Sequence, residues 1–185
     1  MSDAVDIRNV RWVCPPRRKE STVMDPVTER DIRSSFINCS KGDARRLPVP
    51  RDLDDRPWAD LDFLGWSDPS LPGRCYLVTP RADGLAGIAL RYETGGSGRT
   101  QMCAICLTNH SGYGVSLLTA NKAGDSGRRG NTVGAYMCTD LACSLYARGI
   151  RRPALGNRYR EDLTVEAKIA RVNENMDTFV TRLYS

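Results

Sequence analysis

Apolar residues recur every three to four positions in one long segment: Val165, Ile169, Val172, Met176, Phe179 and Leu183 follow one another at spacings of 4, 3, 4, 3 and 4. That period marks a helix with one face turned to a core. Thr164 stands where an N-cap is needed, and Glu166 lies in the first turn, where a negative charge meets the positive end of the helix dipole. The pattern predicts a C-terminal amphipathic helix packed on its own chain. Its seam is short for a self-standing coiled coil, so a monomer is expected, with dimerisation through the stripe as the alternative.

Earlier in the chain the pattern changes twice. From Thr28, a candidate N-cap with Asp31 three residues on, Ile32, Phe36 and Ile37 share a helical face, and the run from Ser40 to Leu47 predicts a second short turn of helix. Pro48, Pro50 and Pro57 then force extended or turning chain. The densest apolar cluster follows, Trp58, Leu61, Phe63, Leu64 and Trp66, and core packing is the expectation for it. Tyr76 to Val78 and Leu85 to Tyr92 alternate as two strands joined by Thr79-Pro-Arg-Ala-Asp-Gly84, giving a small antiparallel sheet. Beyond Gly95-Gly-Ser-Gly98, a flexible connector, 114–120 and 131–137 predict two more strands, 123–130 a glycine-rich loop with Arg128 and Arg129 at its tip, and 140–148 a helix.

These elements predict an α+β protein: a small antiparallel α/β lobe over 24–98, a second lobe over 99–152, and a linker and helix over 153–185. Residues 1–23 lack periodicity and carry Pro15-Pro-Arg-Arg-Lys19, so they read as a disordered arm or as upstream sequence from a mis-assigned start.

The second lobe carries the chemistry. Cys103-x2-Cys106 is followed, after 31 residues, by Cys138-x4-Cys143. Two thiolates on a tight turn reach one metal at about 2.3 Å each, and a second pair supplied by the fold closes a tetrahedral shell. A knuckle on a hairpin with a second pair at a helix start is the layout of a treble-clef finger. One structural zinc is therefore expected, with Cys103, Cys106, Cys138 and Cys143 as ligands. His110, the only histidine, could in principle replace one thiolate, but four cysteines suffice, and it reads as an exposed residue of the knuckle loop. Cys14, Cys39 and Cys75 lack paired partners and read as plain thiols.

Composition changes this picture little. A formal charge of +5 favours acidic partners such as RNA or an acidic protein face. No apolar run approaches the length of a membrane span, and Asp3, Asp6, Arg8 and Arg11 interrupt the stretch where an export signal needs an apolar core. Seven cysteines without such a signal point to a reducing cytoplasm and to thiolate ligation. No His-Glu-x-x-His or phosphate-loop pattern is present, and a closed shell leaves no position for a reacting water, so an enzyme is not expected. Two binding surfaces are open to consideration. One is a rim of His110, Tyr113, Arg128, Arg129, Asn131 and Tyr136 for a protein partner. The other is an arginine cluster, Arg148, Arg151, Arg152, Arg158 and Arg160, for ribosomal RNA phosphates.

Four stretches, 28–42, 57–66, 102–110 and 130–146, carry a resemblance to the FBP-type treble-clef zinc-finger family, whose best-known members are FusB-type proteins that bind elongation factor G and confer fusidic acid resistance. The sequence is most similar to short actinobacterial members, over about residues 26 to 182. The resemblance implies an α/β lobe fused to a treble clef, and a zinc-side surface that docks on elongation factor G and helps it leave the ribosome. Two departures stand out. The second metal pair is Cys-x4-Cys where FusB-type proteins resemble His-x4-Cys, and residues 1–60 are too short and too rich in proline for the FusB-type N-terminal helical bundle.

Overall fold

The computed structural model describes residues 23–95, 98–153 and 161–185. In these the chain runs through α1 (Glu29–Ser35), α2 (Lys41–Arg46), a 3-10 turn at Trp58–Asp60, β1 (Leu64–Ser67), β2 (Arg74–Arg81) and β3 (Gly84–Arg91). It continues through β4 (Gln101–Met102), β5 (Asn109–His110), β6 (Val115–Asn121), α3 (Gly124–Arg128), β7 (Thr132–Cys138), α4 (Cys143–Ala147) and α5 (Val165–Tyr184). Both N-terminal helices are capped as their sequences require. The Thr28 hydroxyl accepts from the Asp31 N–H while Asp31 returns a bond to the Thr28 N–H, and Ser40 caps α2 through Asp43.

One antiparallel sheet of order β1-β2-β3-β6-β7 joins strands from both expected lobes, because β6 pairs with β3 at Thr119 and Arg91. The expected boundary at 98/99 therefore does not coincide with a break in the sheet. The β2–β3 hairpin is also longer than the sequence pattern predicts: its ladder runs to Arg81 and Gly84, leaving Ala82 and Asp83 as a two-residue turn.

Alternation along the strands sends side chains to two different packings. Leu64, Trp66, Tyr76 and Val78 face α1 and α2, where they bury Met24, Ile32 and Leu47. Cys75, Leu77, Ile88 and Leu90 face the other way, into a core shared with Leu118, Val133 and Met137 of the second hairpin and with Val172, Met176, Phe179, Val180 and Leu183 of α5. The helical stripe thus packs on its own chain, although Val165 at its start is exposed. Cys75 is one of these buried residues, and burial pushes its thiol up to about 12. The segment read as a glycine-rich loop contains α3, and Gly127 is needed there for space, since a Cβ would lie 1.8 Å from the Lys122 carbonyl oxygen.

Candidate metal centre

The four cysteine sulfurs lie within 4.8 Å of one another and all four residues are buried. Cys103 and Cys143 Sγ are 3.6 Å apart, as are Cys106 and Cys138 Sγ. A disulfide needs about 2.0 Å, so these are not bridges. Four sulfurs at about 2.3 Å from a tetrahedral zinc stand about 3.8 Å from one another, which is close to the spacing seen. The donor set fits one zinc ion.

Local backbone geometry builds each half. In the knuckle the Leu107 N–H donates to the Cys103 carbonyl at 2.9 Å, the Ile105 N–H points at Cys103 Sγ at 3.4 Å, and Leu107 takes a positive φ of 57° to close the turn. In the second half Cys138 ends β7 and Cys143 opens α4, joined by a turn in which the Leu141 N–H donates to the Cys138 carbonyl at 2.9 Å. The two halves are tied by the Ala104 N–H, which donates to the Tyr136 carbonyl at 2.7 Å. Gly65 of β1 lets the second half sit close: a Cβ there would meet Leu141 Cβ at 2.4 Å.

Four buried thiols at this spacing are in conflict as acids. Hydrogen bonds from Cys103, Cys138 and Cys143 hold the Cys106 thiol far below its ordinary range, while Cys103 and Cys106 push those of Cys138 and Cys143 well above it. A divalent cation resolves the conflict, because it favours the thiolate at every position.

His110 departs from its expected exposed position. It is 5% exposed, its Nε2 lies 3.4 Å from Cys138 Sγ, and its ring meets Tyr146 edge-on at 4.7 Å. Gly114 makes room for it, since a Cβ there would come within 2.6 Å of His110 Cβ. Outside the four-sulfur group, the ring is placed to donate to a ligand sulfur, and the layer continues outward: Tyr146 Oη donates to Asp140 at 2.9 Å, and Arg151 pairs with Asp140 at 3.1 Å.

Other expected site residues separate into two places. Register puts Val115 opposite Cys138 at the metal end of the β6–β7 hairpin and Asn121 opposite Thr132 at the other, about 20 Å away at 3.3 Å per residue. Arg128, Arg129 and Asn131 are exposed at that far end, so they form no single rim with the metal loops. Tyr113 and Tyr136 are 64% and 47% exposed on the metal-side half, joined there by Met102 at 52% and Leu117, directly opposite Tyr136, at 46%.

The expected arginine cluster dissolves in a similar way. The Arg148 side chain is buried and forms a bidentate pair with buried Asp62, at 2.6 and 3.0 Å. Ser144 Oγ accepts from the Asp62 N–H at 3.0 Å, and Asn173 of α5 reaches the same carboxylate at 3.4 Å. Arg148 is thus a weld between the metal helix, the chain before β1 and α5. Arg151 is held by Asp140 and Tyr146, Arg152 is exposed, and Arg158 and Arg160 lie outside the described residues, as does the expected arm up to residue 22. The knuckle is also backed by α5, where Arg171 and Asn175 donate to the carbonyls of Cys106 and Ile105. Sequence reasoning missed this support; an aspartate at position 62 inside the most apolar cluster of the chain was its one visible sign.

The sequence matches the FBP C-terminal treble-clef zinc-finger family over residues 31–183, nearly the whole of the described fold. The chain belongs to that family. Zinc is accordingly the metal of the four-cysteine site in this FBP-family protein, and its role is structural. Among curated proteins no significant match is found. Among solved structures, the fusidic acid resistance protein FusC is similar at 17% identity with a TM-score of 0.47, over 74% of this chain and 51% of FusC. The FBP-family chain thus spans about half the length of that protein. Among the described residues no helix is long and apolar enough to cross a membrane.

Proposed function

We propose that this protein is a zinc-stabilised binding module that docks on translation elongation factor G, or on the ribosome carrying it, aiding release of the factor and with it tolerance of fusidic acid. The observation that carries this reading is the surface beside the closed metal shell. All four coordination positions are supplied by buried sulfur, so the metal offers no site for a reacting group and instead fixes the loops around it. What those loops present is apolar and exposed: Tyr113, Tyr136, Met102 and Leu117. Exposed aromatics on a rigid frame are the usual anchors of a protein interface. The resemblance of the metal-side stretches to elongation-factor-binding proteins supports elongation factor G as that partner.

Calorimetric titration of the zinc-loaded protein with elongation factor G from the same cell tests the reading. Binding at micromolar concentration is expected, weakened at least about tenfold by Tyr113→Ala with Tyr136→Ala, because two central aromatic anchors carry roughly 2 kcal/mol or more each. Arg128→Ala with Arg129→Ala, at the far end of the hairpin, is expected to change affinity much less. Absence of binding at about 100 µM rejects the reading.

A further inference from the structure

The face of the sheet that carries α1 and α2 is covered only over β1 to β3. On the same face β6 and β7 are open, and the step between the covered and open halves is a cleft of about 930 Å³. Its wall is the turn from Ile37 to Ser40, held to the sheet by Asn38, whose side chain exchanges two hydrogen bonds of 2.9 Å with Ala89 and donates a third to the Asn121 carbonyl. Its floor includes Arg74, Arg91, Thr119 and Thr132.

Arg74 and Arg91 are direct cross-strand partners in the β2–β3 ladder, on the face that carries Tyr76 and Ala89. Opposed side chains in such a pair leave the backbone with Cβ atoms about 5 Å apart, and like charges so placed repel. Neither arginine has an ion-pair partner among the described residues. Acids that share the cleft are committed elsewhere. Asp68 accepts from the Ser70 and Leu71 N–H groups and from Tyr76 Oη, which is pushed up to about 12 by burial and this bond. Asp43 serves Ser40 and Arg46. Of the five cations that line the cleft, Arg46 pairs with Asp43, Arg128 with Asp125, and Lys122 Nζ donates to the Ser185 carbonyl, which leaves Arg74 and Arg91 as the two not so engaged.

A second hollow of about 480 Å³ begins at the same Arg91 and Thr119 and is lined by Tyr92, Leu117 and Tyr136, with Glu93 as its one acid. A cationic floor that grades into an aromatic one suits a ligand with an anionic group joined to a planar one. We propose that this cleft binds nucleotide units, with phosphate oxygens bridging Arg74 and Arg91 and the base lying toward Tyr92 and Tyr136. The paired guanidinium groups present planar forks of N–H donors to one oxyanion, which relieves their mutual repulsion. This site shares Tyr136 and Leu117 with the docking surface proposed above, but it is tested at Arg74 and Arg91, which that surface does not include, so failure of one leaves the other testable.

The experiment uses the full zinc-loaded chain at low salt and three probes: ATP, a fluorescein-labelled single-stranded oligouridylate of about eight nucleotides, and inorganic tripolyphosphate. Wild type is expected to bind ATP or the oligouridylate at micromolar concentration, and Arg74→Ala with Arg91→Ala is expected to weaken this at least about tenfold, since the charged hydrogen bonds to the oxyanion are lost. The paired lysine variant, which keeps charge but loses the fork, is expected to fall between. Zinc content and melting temperature of the variants report folding, and removal of the opposed charges is expected to leave both intact. Tighter oligouridylate binding with a steep salt dependence identifies a strand as the source of the nucleotide, and equal or tighter ATP binding identifies the free nucleotide; both support the site. Tripolyphosphate binding as tightly as both overturns the nucleotide assignment. No binding of any probe at about 100 µM, or an alanine variant that binds like wild type, overturns the proposal.

Discussion

Replacing Arg148 by alanine is expected to destabilise the protein more than replacing any of its exposed arginines. The guanidinium is buried, with its side chain 8% exposed against 1% for Asp62, and two bonds of 2.6 and 3.0 Å bind the pair. Truncation leaves the Asp62 carboxylate in the interior with only the Asp62-directed amide of Asn173, at 3.4 Å, as a remaining side-chain donor. Breaking a buried pair from one side typically costs about 3–5 kcal/mol, because the abandoned charge keeps its desolvation penalty. For a chain of this size about 1 kcal/mol moves the melting temperature by roughly 2–4 °C, so a fall of about 6–20 °C is expected. Urea unfolding followed by circular dichroism measures the free-energy loss and a thermal melt the shift in melting temperature, with every sample zinc-loaded at the start. The paired change Asp62→Leu with Arg148→Met removes both charges and is expected to recover most of the loss. A loss under about 1 kcal/mol for Arg148→Ala alone would refute the buried-weld reasoning and return Arg148 to the exposed arginines.

Further outcomes follow from the same geometry. His110→Phe is expected to retain one zinc but to weaken it by about 10–100-fold, the usual effect of losing a donor behind a metal ligand, measured by competition with a chromogenic chelator. Phe179→Ala is expected to cost about 3–5 kcal/mol without changing the mass measured by sedimentation, since Phe179 is 2% exposed in the chain's own core. Hydrogen bonds from Thr28 and Ser40 hold the carboxyls of Asp31 and Asp43 below the ordinary aspartate value, so the stability these lend is present above that value and is lost as pH falls through the lowered folded ones. Thermal melts should therefore separate Asp31→Asn from wild type at neutral pH and bring the two together in strong acid; a gap that persists in acid would contradict this assignment.

What was legible in the chain was local. The cysteine pairs reveal themselves because a chelate ring on a turn fixes ligand spacing along the backbone. The α5 stripe does so because burial on one face imposes a 3.6-residue period. Asp62 and Arg148 meet across 86 residues, and nothing near either one marks the other as its partner. His110 was misplaced for a related reason: the knuckle loop looks exposed until Tyr146 from α4 closes over it. Arg128 and Arg129 lie between the two metal pairs in sequence, yet strand register carries them to the opposite end of the hairpin. Register also sets Arg74 against Arg91, a juxtaposition invisible until the β2–β3 turn is known to be two residues long.

The central claim is that four thiolates close a structural zinc shell and that the surface it holds performs the work. X-ray absorption at the zinc edge of protein purified without chelator tests it most directly. One zinc per chain surrounded by four sulfurs at about 2.3 Å is the predicted result. Protein without zinc, or a shell of three sulfurs with one nitrogen or oxygen at about 2.0–2.1 Å, would contradict it, since the latter would mean that His110 or an exchangeable water had entered the coordination shell.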